Sequence, residues 1–278
     1  MNRTHLLLID PQNDFCDLPQ ELCPVGSAGA RAVPALPVPG AHRDMERIAA
    51  WLGQNLSHVD AVTVTLDHHH RLDIAHPGFW RNRAGDVVSP FTQITAKSLK
   101  DGDFATAPGL DYARAVAYLE ALESTGRFVH MVWPVHCQIG TWGQCVHPTL
   151  QAALDIWEDR TGGRVSHVLK GENPWTEHYS AMQAEIPVPE DEATDFNRAL
   201  LEDLSRAGRV LIAGEAGSHC VRATVEHLLE YWPHDPSRLV LLEDAISPVT
   251  GFEAVYEEFL PSMKSKGLQI ARLDTIAS

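Results

Sequence analysis

The chain has 278 residues and a formal net charge of -15; 44% of its residues are hydrophobic and 21% are charged. This composition is ordinary for a globular protein, and the negative charge argues against a nucleic acid or an anionic membrane as partner, since both attract basic surfaces. No apolar run approaches the roughly 18 residues of a membrane span, and five cysteines without a signal peptide favour reduced thiols and a cytoplasmic location.

Short apolar runs alternate with amphipathic helical patterns along most of the chain. This alternation predicts an α/β fold in which a mainly parallel sheet has helices on both faces. The predicted strands cover residues 5–9, 61–66, 128–133, 165–169, 210–213 and 239–242. The predicted helices cover residues 43–56, 111–124, 149–157, 196–207, 221–231 and 252–266.

Two long segments, residues 18–39 and 71–110, interrupt the alternation. Both are rich in Pro, Gly or polar residues, so we interpret them as loop excursions around a site. The sequence shows no internal repeat and no low-complexity tract. We therefore expect a single domain over residues 1–278.

Chemically capable side chains follow five of the predicted strands in turn. In an open α/β sheet, ligands bind where the carboxyl ends of the strands meet, so these side chains are expected at one edge. In chain order they are Asp10, Asp67 with His69, Trp133 with His136, Lys170, and Cys220. One such side chain alone is commonly a helix cap or an exposed charge, but the repetition at five strand ends predicts a site.

Cys220 lies where the predicted strand 210–213 passes through a tight turn into a helical pattern. Ser218 is the expected N-cap of that helix, which places Cys220 in the first turn. The helix dipole and the free backbone N–H groups there favour a thiolate, so Cys220 is a candidate nucleophile beside a candidate oxyanion hole. The alternative, from this segment alone, is a buried structural cysteine.

A second candidate set combines one carboxylate with two imidazoles. Asp67, His69 and His136 form a usual donor set for Zn²⁺, Mn²⁺ or Fe²⁺ with coordination positions left open. Asp67 and His69 are two residues apart at a strand end, so both side chains can turn to one face. His70 and His76 are alternative ligands.

Three of the strand-end residues, Asp10, Lys170 and Cys220, can together support a nucleophilic reaction. Lys170 can stabilise a thiolate on Cys220 by its charge, and Asp10 can move the proton. Two further acids are given other roles: Asp73 is interpreted as an ordinary loop carboxylate, and Asp14 as a residue that holds the active-site loop together.

Taken together, these motifs resemble the isochorismatase-like cysteine hydrolases, and among them the nicotinamidases. The matching segments follow the family's order over most of the chain. They are Asp10-Pro-Gln-Asn-Asp-Phe15, Asp67-His-His69, Trp133-Pro-Val-His-Cys137, Lys170-Gly171, His178-Tyr-Ser-Ala-Met182 and Gly214-Glu-Ala-Gly-Ser-His-Cys-Val221.

The resemblance implies a three-layer αβα fold with a six-stranded, mainly parallel sheet. It also implies a catalytic triad of Asp10, Lys170 and Cys220. The family carries a cis peptide shortly before the nucleophile, which would be the bond Glu215–Ala216. The backbone N–H groups of Ala216 and Cys220 would then form the oxyanion hole.

For the metal, the resemblance implies one divalent ion, Zn²⁺ with Mn²⁺ or Fe²⁺ as alternatives, held by Asp67, His69 and His136. In nicotinamidases this ion binds the pyridine nitrogen of the substrate. Aromatic side chains sandwich the substrate ring in that family, and Phe15 and Trp133 stand at the matching positions here.

The implied activity is hydrolysis of nicotinamide to nicotinate and ammonia through a cysteine thioester. Three positions depart from the family near the pocket, since it often has an apolar residue at Glu215, Thr or Ser at Gly217, and Tyr at His219. These departures leave two alternatives: a related hydrolase of another amide, carbamoyl or ureido compound, and a non-catalytic metal-binding sensor. The expected partner is a small-molecule amide, and the expected protein is a cytoplasmic homo-oligomer.

Overall fold

The computed structural model describes residues 3–27 and 29–276, and its centre is a six-stranded, wholly parallel sheet. The ends of the predicted 1–278 domain, and residue 28 of the predicted 18–39 loop, lie outside this description. From edge to edge the strands are β10 (Gln269–Ala271), β9 (Leu239–Ser247), β8 (Arg209–Glu215), β1 (Thr4–Ile9), β2 (Ala61–Asp67) and β7 (Ser166–Lys170).

Helices cover this sheet, so the predicted three-layer α/β fold is confirmed. They are α1 (Ala41–Gln54), α2 (Ala96–Lys100), α3 (Tyr112–Thr125), α4 (Pro148–Thr161), α5 (Arg198–Ser205), α6 (Cys220–Tyr231) and α7 (Glu253–Ser265). Helix α1 packs against α4 and against strands β8 and β9, while α6 contacts β8. No helix in the described residues is both long and apolar enough to span a membrane.

The predicted strand at 128–133 is wrong in length and in place. Only β6 (Met131–Val132) is extended, and it pairs antiparallel with β4 (Thr92–Gln93), outside the main sheet. The next residue, Trp133, is not part of β6, and its backbone N–H donates to the Ala75 carbonyl at 2.7 Å. The sixth strand of the main sheet is instead β10, which is too short to give a periodic signal.

The segment 71–110 is less irregular than the sequence indicates. It contains α2, β4 and the antiparallel pair of β3 (Trp80–Asn82) with β5 (Phe104–Thr106). Its apolar side chains pack against α3 in a second hydrophobic core, separate from the core around the main sheet. The buried members are Ile74, Phe79, Trp80, Val88, Ile94, Ala96, Leu99, Ala115, Tyr118, Leu119, Leu122 and Val132.

Strands β1 and β8 lie at the centre of the sheet and approach each other closely at their carboxyl ends. All six residues of β1 are buried, as is usual for a parallel strand covered on both faces. Gly214, at a backbone φ of 131°, allows this approach, because a Cβ there would lie 2.0 Å from the carbonyl oxygen of Ile9. The two strand ends therefore deliver Asp10 and the turn before Cys220 to the same place.

Candidate active site

Four of the predicted site residues meet at the carboxyl edge of the sheet. Asp10 follows β1, Asp67 ends β2, Lys170 ends β7, and Cys220 is the first residue of α6. Ligand atoms of Asp10, Asp67 and Cys220 all lie within 4.8 Å of one another. Each of the four side chains is buried. This group buries two carboxylates, one ammonium and one thiol together. Buried charges are costly to remove from water, so the group is stable only because its members contact one another.

Lys170 is the centre of this group. Its Nζ lies 2.8 Å from Oδ2 of Asp10 and 3.7 Å from Sγ of Cys220, and it also donates to Oδ1 of Asp67. It donates to the carbonyl oxygen of His178 at 3.1 Å as well. Burial by itself disfavours the ammonium, but the two carboxylates outweigh it and hold the pKa of Lys170 well above its usual value.

Asp10 is placed to accept a proton. One carboxylate oxygen accepts a hydrogen bond from Thr65 Oγ1 at 2.6 Å, and the other faces Lys170. Complete burial raises the pKa of Asp10, with the charge of Lys170 opposing that effect. A raised pKa makes a carboxylate a stronger base, which suits proton transfer near neutral pH.

The expectation of a stabilised thiolate is wrong for the resting pocket. Burial raises the pKa of the Cys220 thiol well above its usual value, and the opposing charge of Lys170 does not offset that burial. The helix prediction is correct in placing Cys220 in the first turn, but Ser218 is not its N-cap. His219 occupies that position, while Ser218 Oγ accepts from the Val249 N–H at 3.1 Å and lies 3.0 Å from His219 Nδ1.

The predicted cis peptide at Glu215–Ala216 is also wrong, since the bond is trans. The chain makes the turn instead through positive φ angles, 131° at Gly214 and 56° at Ala216. Ala216 and Cys220 both line the pocket described below. The turn therefore leaves both residues of the predicted oxyanion hole in the wall of one pocket.

The predicted metal ligands also come together. Ligand atoms of Asp67, His69 and His136 lie within 4.8 Å of one another, and all three residues are buried. The Nε2 atoms of the two histidines lie 3.7 Å and 3.6 Å from Oδ2 of Asp67. Their Nδ1 atoms are engaged on the far side, with Asp73 Oδ2 at 3.2 Å and the Pro134 carbonyl at 2.9 Å. This donor set fits a divalent transition-metal ion, because partners on Nδ1 leave Nε2 free for coordination.

Neither of the two alternative ligands belongs to this set. His70 is exposed. His76 stands behind the set, with Nε2 at 3.3 Å from His136 Nδ1 and Nδ1 at 3.0 Å from the His70 carbonyl. Asp73 is not an ordinary loop carboxylate, because it is fully buried against His69.

Asp14 connects two loops, in agreement with its predicted role of holding the active-site loop together. Its Oδ1 accepts from the Ala35 N–H at 3.0 Å, and its Oδ2 accepts from the Cys137 N–H at 2.7 Å. These contacts hold the loop before α1 against the segment that carries His136.

One pocket joins the thiol cluster to the metal-binding set. The space free of protein atoms in and around it is about 320 Å³, part of which is open to solvent. Its lining residues are Phe15, Leu36, Asp67, Trp133, His136, Glu177, His178, Tyr179, Ala216, His219, Cys220 and Val249. Both predicted ring-binding residues, Phe15 and Trp133, are therefore in its wall.

Glu177 is a pocket residue to which the sequence analysis gave no role. Trp133 Nε1 donates to its carboxylate at 3.2 Å and to the Tyr179 hydroxyl at 3.1 Å. Burial raises the pKa of Glu177 to about 8, so the group is largely protonated at neutral pH. Tyr179 lies in the segment 178–182, which matches the family, but Glu177 does not directly follow a predicted strand and no spacing pattern in the sequence indicates it.

His219 gives the pocket an uncharged wall. Burial lowers its pKa to about 3, so the ring is neutral near pH 7. The ring packs edge-on against Trp133 and Phe252, with centroid distances of 5.1 Å and 4.6 Å. The part of the pocket next to Cys220 is therefore aromatic and apolar, which suits a planar ring.

Comparison with known proteins adds a structural likeness. No protein-family model matches the chain, and no curated protein sequence matches it. The yeast nicotinamidase Pnc1p, in a structure bound to the inhibitor nicotinaldehyde, matches with a TM-score of 0.63 at 20% identity over 97% of this chain and 99% of that one. The chain has the nicotinamidase fold.

Two further nicotinamidase-fold structures support the same conclusion. A nicotinamidase/pyrazinamidase of Acinetobacter baumanii gives a TM-score of 0.59 at 17% identity, over 99% of this chain and 98% of that one. A pyrazinamidase of Pyrococcus horikoshii in complex with zinc gives 0.52 at 19% identity, over 97% and 99%. At these identities the likeness establishes the fold, and the function has to be argued from the site.

Proposed function

We propose that this protein is a metal-containing cysteine amidohydrolase that converts nicotinamide and water to nicotinate and ammonia. The observation that carries the proposal is the buried contact of Lys170 with both Asp10 and Cys220, beside an aromatic pocket. Neither a structural cysteine nor a sensor needs a thiol, an ammonium and a carboxylate in direct contact inside a pocket.

The first half of the reaction forms a thioester. Asp10 takes the proton from the Cys220 thiol as the sulfur attacks the carboxamide carbon, so the new C–S bond forms without a free thiolate in the resting enzyme. The backbone N–H groups of Ala216 and Cys220 hold the oxyanion, and one donor of this kind is typically worth about 3–4 kcal/mol. Asp10 then returns the proton to the nitrogen, the C–N bond breaks, and ammonia leaves.

The second half consumes one water molecule. Asp10, again a carboxylate, takes a proton from water as its oxygen attacks the thioester carbon. The C–S bond breaks, the sulfur recovers its proton from Asp10, and the carboxylic acid is released. Lys170 stays charged throughout and stabilises the negative charge that passes between Asp10 and Cys220.

Asp67, His69 and His136 would hold the metal ion. When bound, the ion supplies a Lewis-acidic position that a ring nitrogen can occupy, so it orients the substrate and does not replace Cys220 as nucleophile. Among solved structures with this fold are the pyrazinamidase of Pyrococcus horikoshii in complex with zinc and PnC1 from L. infantum in complex with nicotinate. We propose a divalent metal for this chain, with zinc as the first choice.

Phe15 and Trp133 would hold the substrate ring. Phe15 packs against His136, with ring centroids 5.4 Å apart, and Trp133 is fixed by its hydrogen bonds to Glu177 and Tyr179. Aromatic faces favour a flat ring and hold it with little loss of side-chain freedom, because these side chains are already ordered.

The test is ammonia release by the metal-loaded protein from a panel of amides. We expect nicotinamide and its ring analogue pyrazinamide to be hydrolysed with the highest kcat/KM. Preferential hydrolysis of ureido or carbamoyl compounds would show that the proposed substrate is wrong, while the proposed reaction class would stand. Release of ammonia from no member of the panel would contradict the enzymatic function itself.

A further inference from the structure

The side chain of Gln12 is fully buried beside the end of strand β2. Its amide makes two hydrogen bonds with the backbone of Asp67: Oε1 accepts from the N–H at 2.8 Å, and Nε2 donates to the carbonyl at 2.8 Å. Nε2 also donates to the Gln144 carbonyl at 2.9 Å. One donor and two acceptors around the amide fix which of its ends is the oxygen. The side chain therefore binds both backbone groups of Asp67 in a single orientation.

The amide of Gln12 takes the place of strand backbone at this position. The last pair between β1 and β2 is Ile9 with Thr65, and the chain then leaves the sheet through a positive φ of 47° at Asp10. In a continued parallel ladder the Asp10 carbonyl would accept from the Asp67 N–H, but here it accepts from the Gln12 N–H at 2.8 Å. A primary amide offers the same donor and acceptor as a peptide group. Gln12 therefore extends the ladder by one unit with its side chain.

Asp67 contributes the carboxylate of the metal-binding set. Its Oδ2 faces the Nε2 atoms of His69 and His136 at 3.7 Å and 3.6 Å. On the other edge of β2, the backbone of Asp67 pairs with Lys170 of β7. With β7 on one side and Gln12 on the other, the backbone of Asp67 is held from both edges. The direction in which its carboxylate leaves the strand is fixed as a result.

The loop that carries Gln12 also carries two other parts of the site. Asp10, the proposed base, lies two residues before it. Asp14 lies two residues after it and accepts from the Cys137 N–H at 2.7 Å, next to the ligand His136. This one loop therefore fixes the base and two parts of the metal-binding set relative to one another.

We propose that Gln12 is a positioning residue for the metal ion, because its amide holds the backbone of Asp67 and so aims that carboxylate at the two histidines. This inference rests on the proposed metal site and adds to it a residue that is not itself a ligand. Loss of the amide leaves the N–H and the carbonyl of Asp67 without their partner on this edge. Groups that orient metal ligands typically contribute about 10–100-fold to metal affinity.

The test compares the zinc affinities of wild type, Gln12→Met and Asn13→Leu, measured by competition with a chromogenic chelator. Asn13 is the matched control, since it is a buried amide of the same loop whose Nδ2 donates to the Trp142 carbonyl at 2.9 Å and not to a metal ligand. We expect Gln12→Met to weaken zinc binding about tenfold or more, and Asn13→Leu to change it less than about twofold.

The absorption spectrum of the cobalt-loaded protein separates positioning from general destabilisation, because the visible bands of Co²⁺ depend on coordination geometry. We expect these bands to shift in Gln12→Met and to stay as in wild type in Asn13→Leu, even where both variants unfold at a lower temperature. If Gln12→Met does not fold, Gln12→Glu and Asn13→Asp carry the same comparison. Both add a carboxyl group to the loop, but only Gln12→Glu removes the amide donor to the Asp67 carbonyl.

A zinc affinity of the Gln12 variant within about twofold of wild type, or an equal loss in the Asn13 variant, would overturn the positioning role. A wild-type protein that binds no divalent metal would contradict both the proposed metal site and this role. A wild-type protein that binds zinc but releases ammonia from no amide would contradict the proposed activity alone, and the affinities would still decide the role of Gln12.

Discussion

Lys170 Nζ lies 3.7 Å from Sγ of Cys220, and the same nitrogen contacts a carboxylate on either side of it. One carboxylate, Asp10, belongs to the thiol cluster, and the other, Asp67, belongs to the metal-binding set. Lys170 thus joins two groups that the sequence analysis treated as separate. Metal binding and the protonation of the proposed triad are expected to influence each other through this side chain.

Replacing Lys170 by Met should destroy both activity and stability. Two buried carboxylates would lose their ammonium partner, and leaving a buried charge unpaired typically costs about 3–5 kcal/mol. We expect the free energy of unfolding to fall by that order, and kcat/KM for nicotinamide to fall by about a thousandfold or more. Denaturant unfolding and ammonia release measure the two effects. Lys100→Met, at an exposed ion pair with Glu120, is the control; a Lys170 variant as stable and active as that control would contradict this account.

Asp73 should affect metal affinity although it is not a ligand. It holds Nδ1 of His69 at 3.2 Å, and loss of such a partner typically weakens metal binding about 10–100-fold. Competition with a chromogenic chelator can measure this for Asp73→Asn. Substitution of the exposed neighbour His70 by Asn should leave the affinity unchanged. Equal affinity in both variants would show that Asp73 does not orient the ligand.

Gly217 should not tolerate the Ser or Thr that the family often has at this position. A Cβ there would lie 2.8 Å from Ile246 Cγ2 and 2.9 Å from the ring of Tyr256. Overpacking of this kind typically costs about 1–3 kcal/mol, so Gly217→Ser should lower the unfolding free energy by that amount. In a protein that already carries Tyr256→Leu, Gly217→Ser should lower the unfolding free energy by less than it does in wild type. Strictly additive effects of the two substitutions would refute the steric explanation.

Glu215 should make stability depend on pH. Both of its carboxylate oxygens are buried without a hydrogen-bond partner, and burial raises its pKa well above the usual 4.5. Because the folded-state pKa is raised, the stabilising contribution is complete below pH 4.5 and is lost as pH rises toward the folded-state value.

The matching experiment compares Glu215→Gln with wild type at pH 5 and pH 8. We expect the variant to gain stability relative to wild type as pH rises, with a slope of at most about 1.4 kcal/mol per pH unit for one proton. Exposed Glu190→Gln serves as the control and should follow wild type. A Glu215→Gln difference that is the same at both pH values would contradict the raised pKa.

The sequence was sufficient for those parts of the fold that repeat a clear pattern. Strands β1, β2 and β8 are almost wholly buried and rich in apolar residues, and their ends placed Asp10, Asp67 and Cys220 correctly. Helices α1 and α3 have boundaries within a few residues of those predicted. Periodicity worked here because burial on both faces, or on one helical face, directly dictates residue type.

The errors have a common physical origin in tertiary contacts. The apolar run at 128–133 is shared between the two cores, with Val132 buried in the second and Met131 and Trp133 buried in the core around the main sheet, so its pattern resembled that of a sheet strand. The state of Cys220 is set by burial, which local spacing does not reveal, and the role of Asp73 depends on the distant fold around His69. Glu177 meets Trp133 only in the folded chain, 44 positions apart.

The central claim is that the Cys220 sulfur attacks the amide carbon. The most direct measurement is the rate of ammonia release from nicotinamide by metal-loaded Cys220→Ala, beside wild type with the same metal content and melting temperature. We predict a loss of at least about a thousandfold, because no other group replaces the nucleophile. A Cys220→Ala protein that hydrolyses nicotinamide at the wild-type rate would contradict the mechanism.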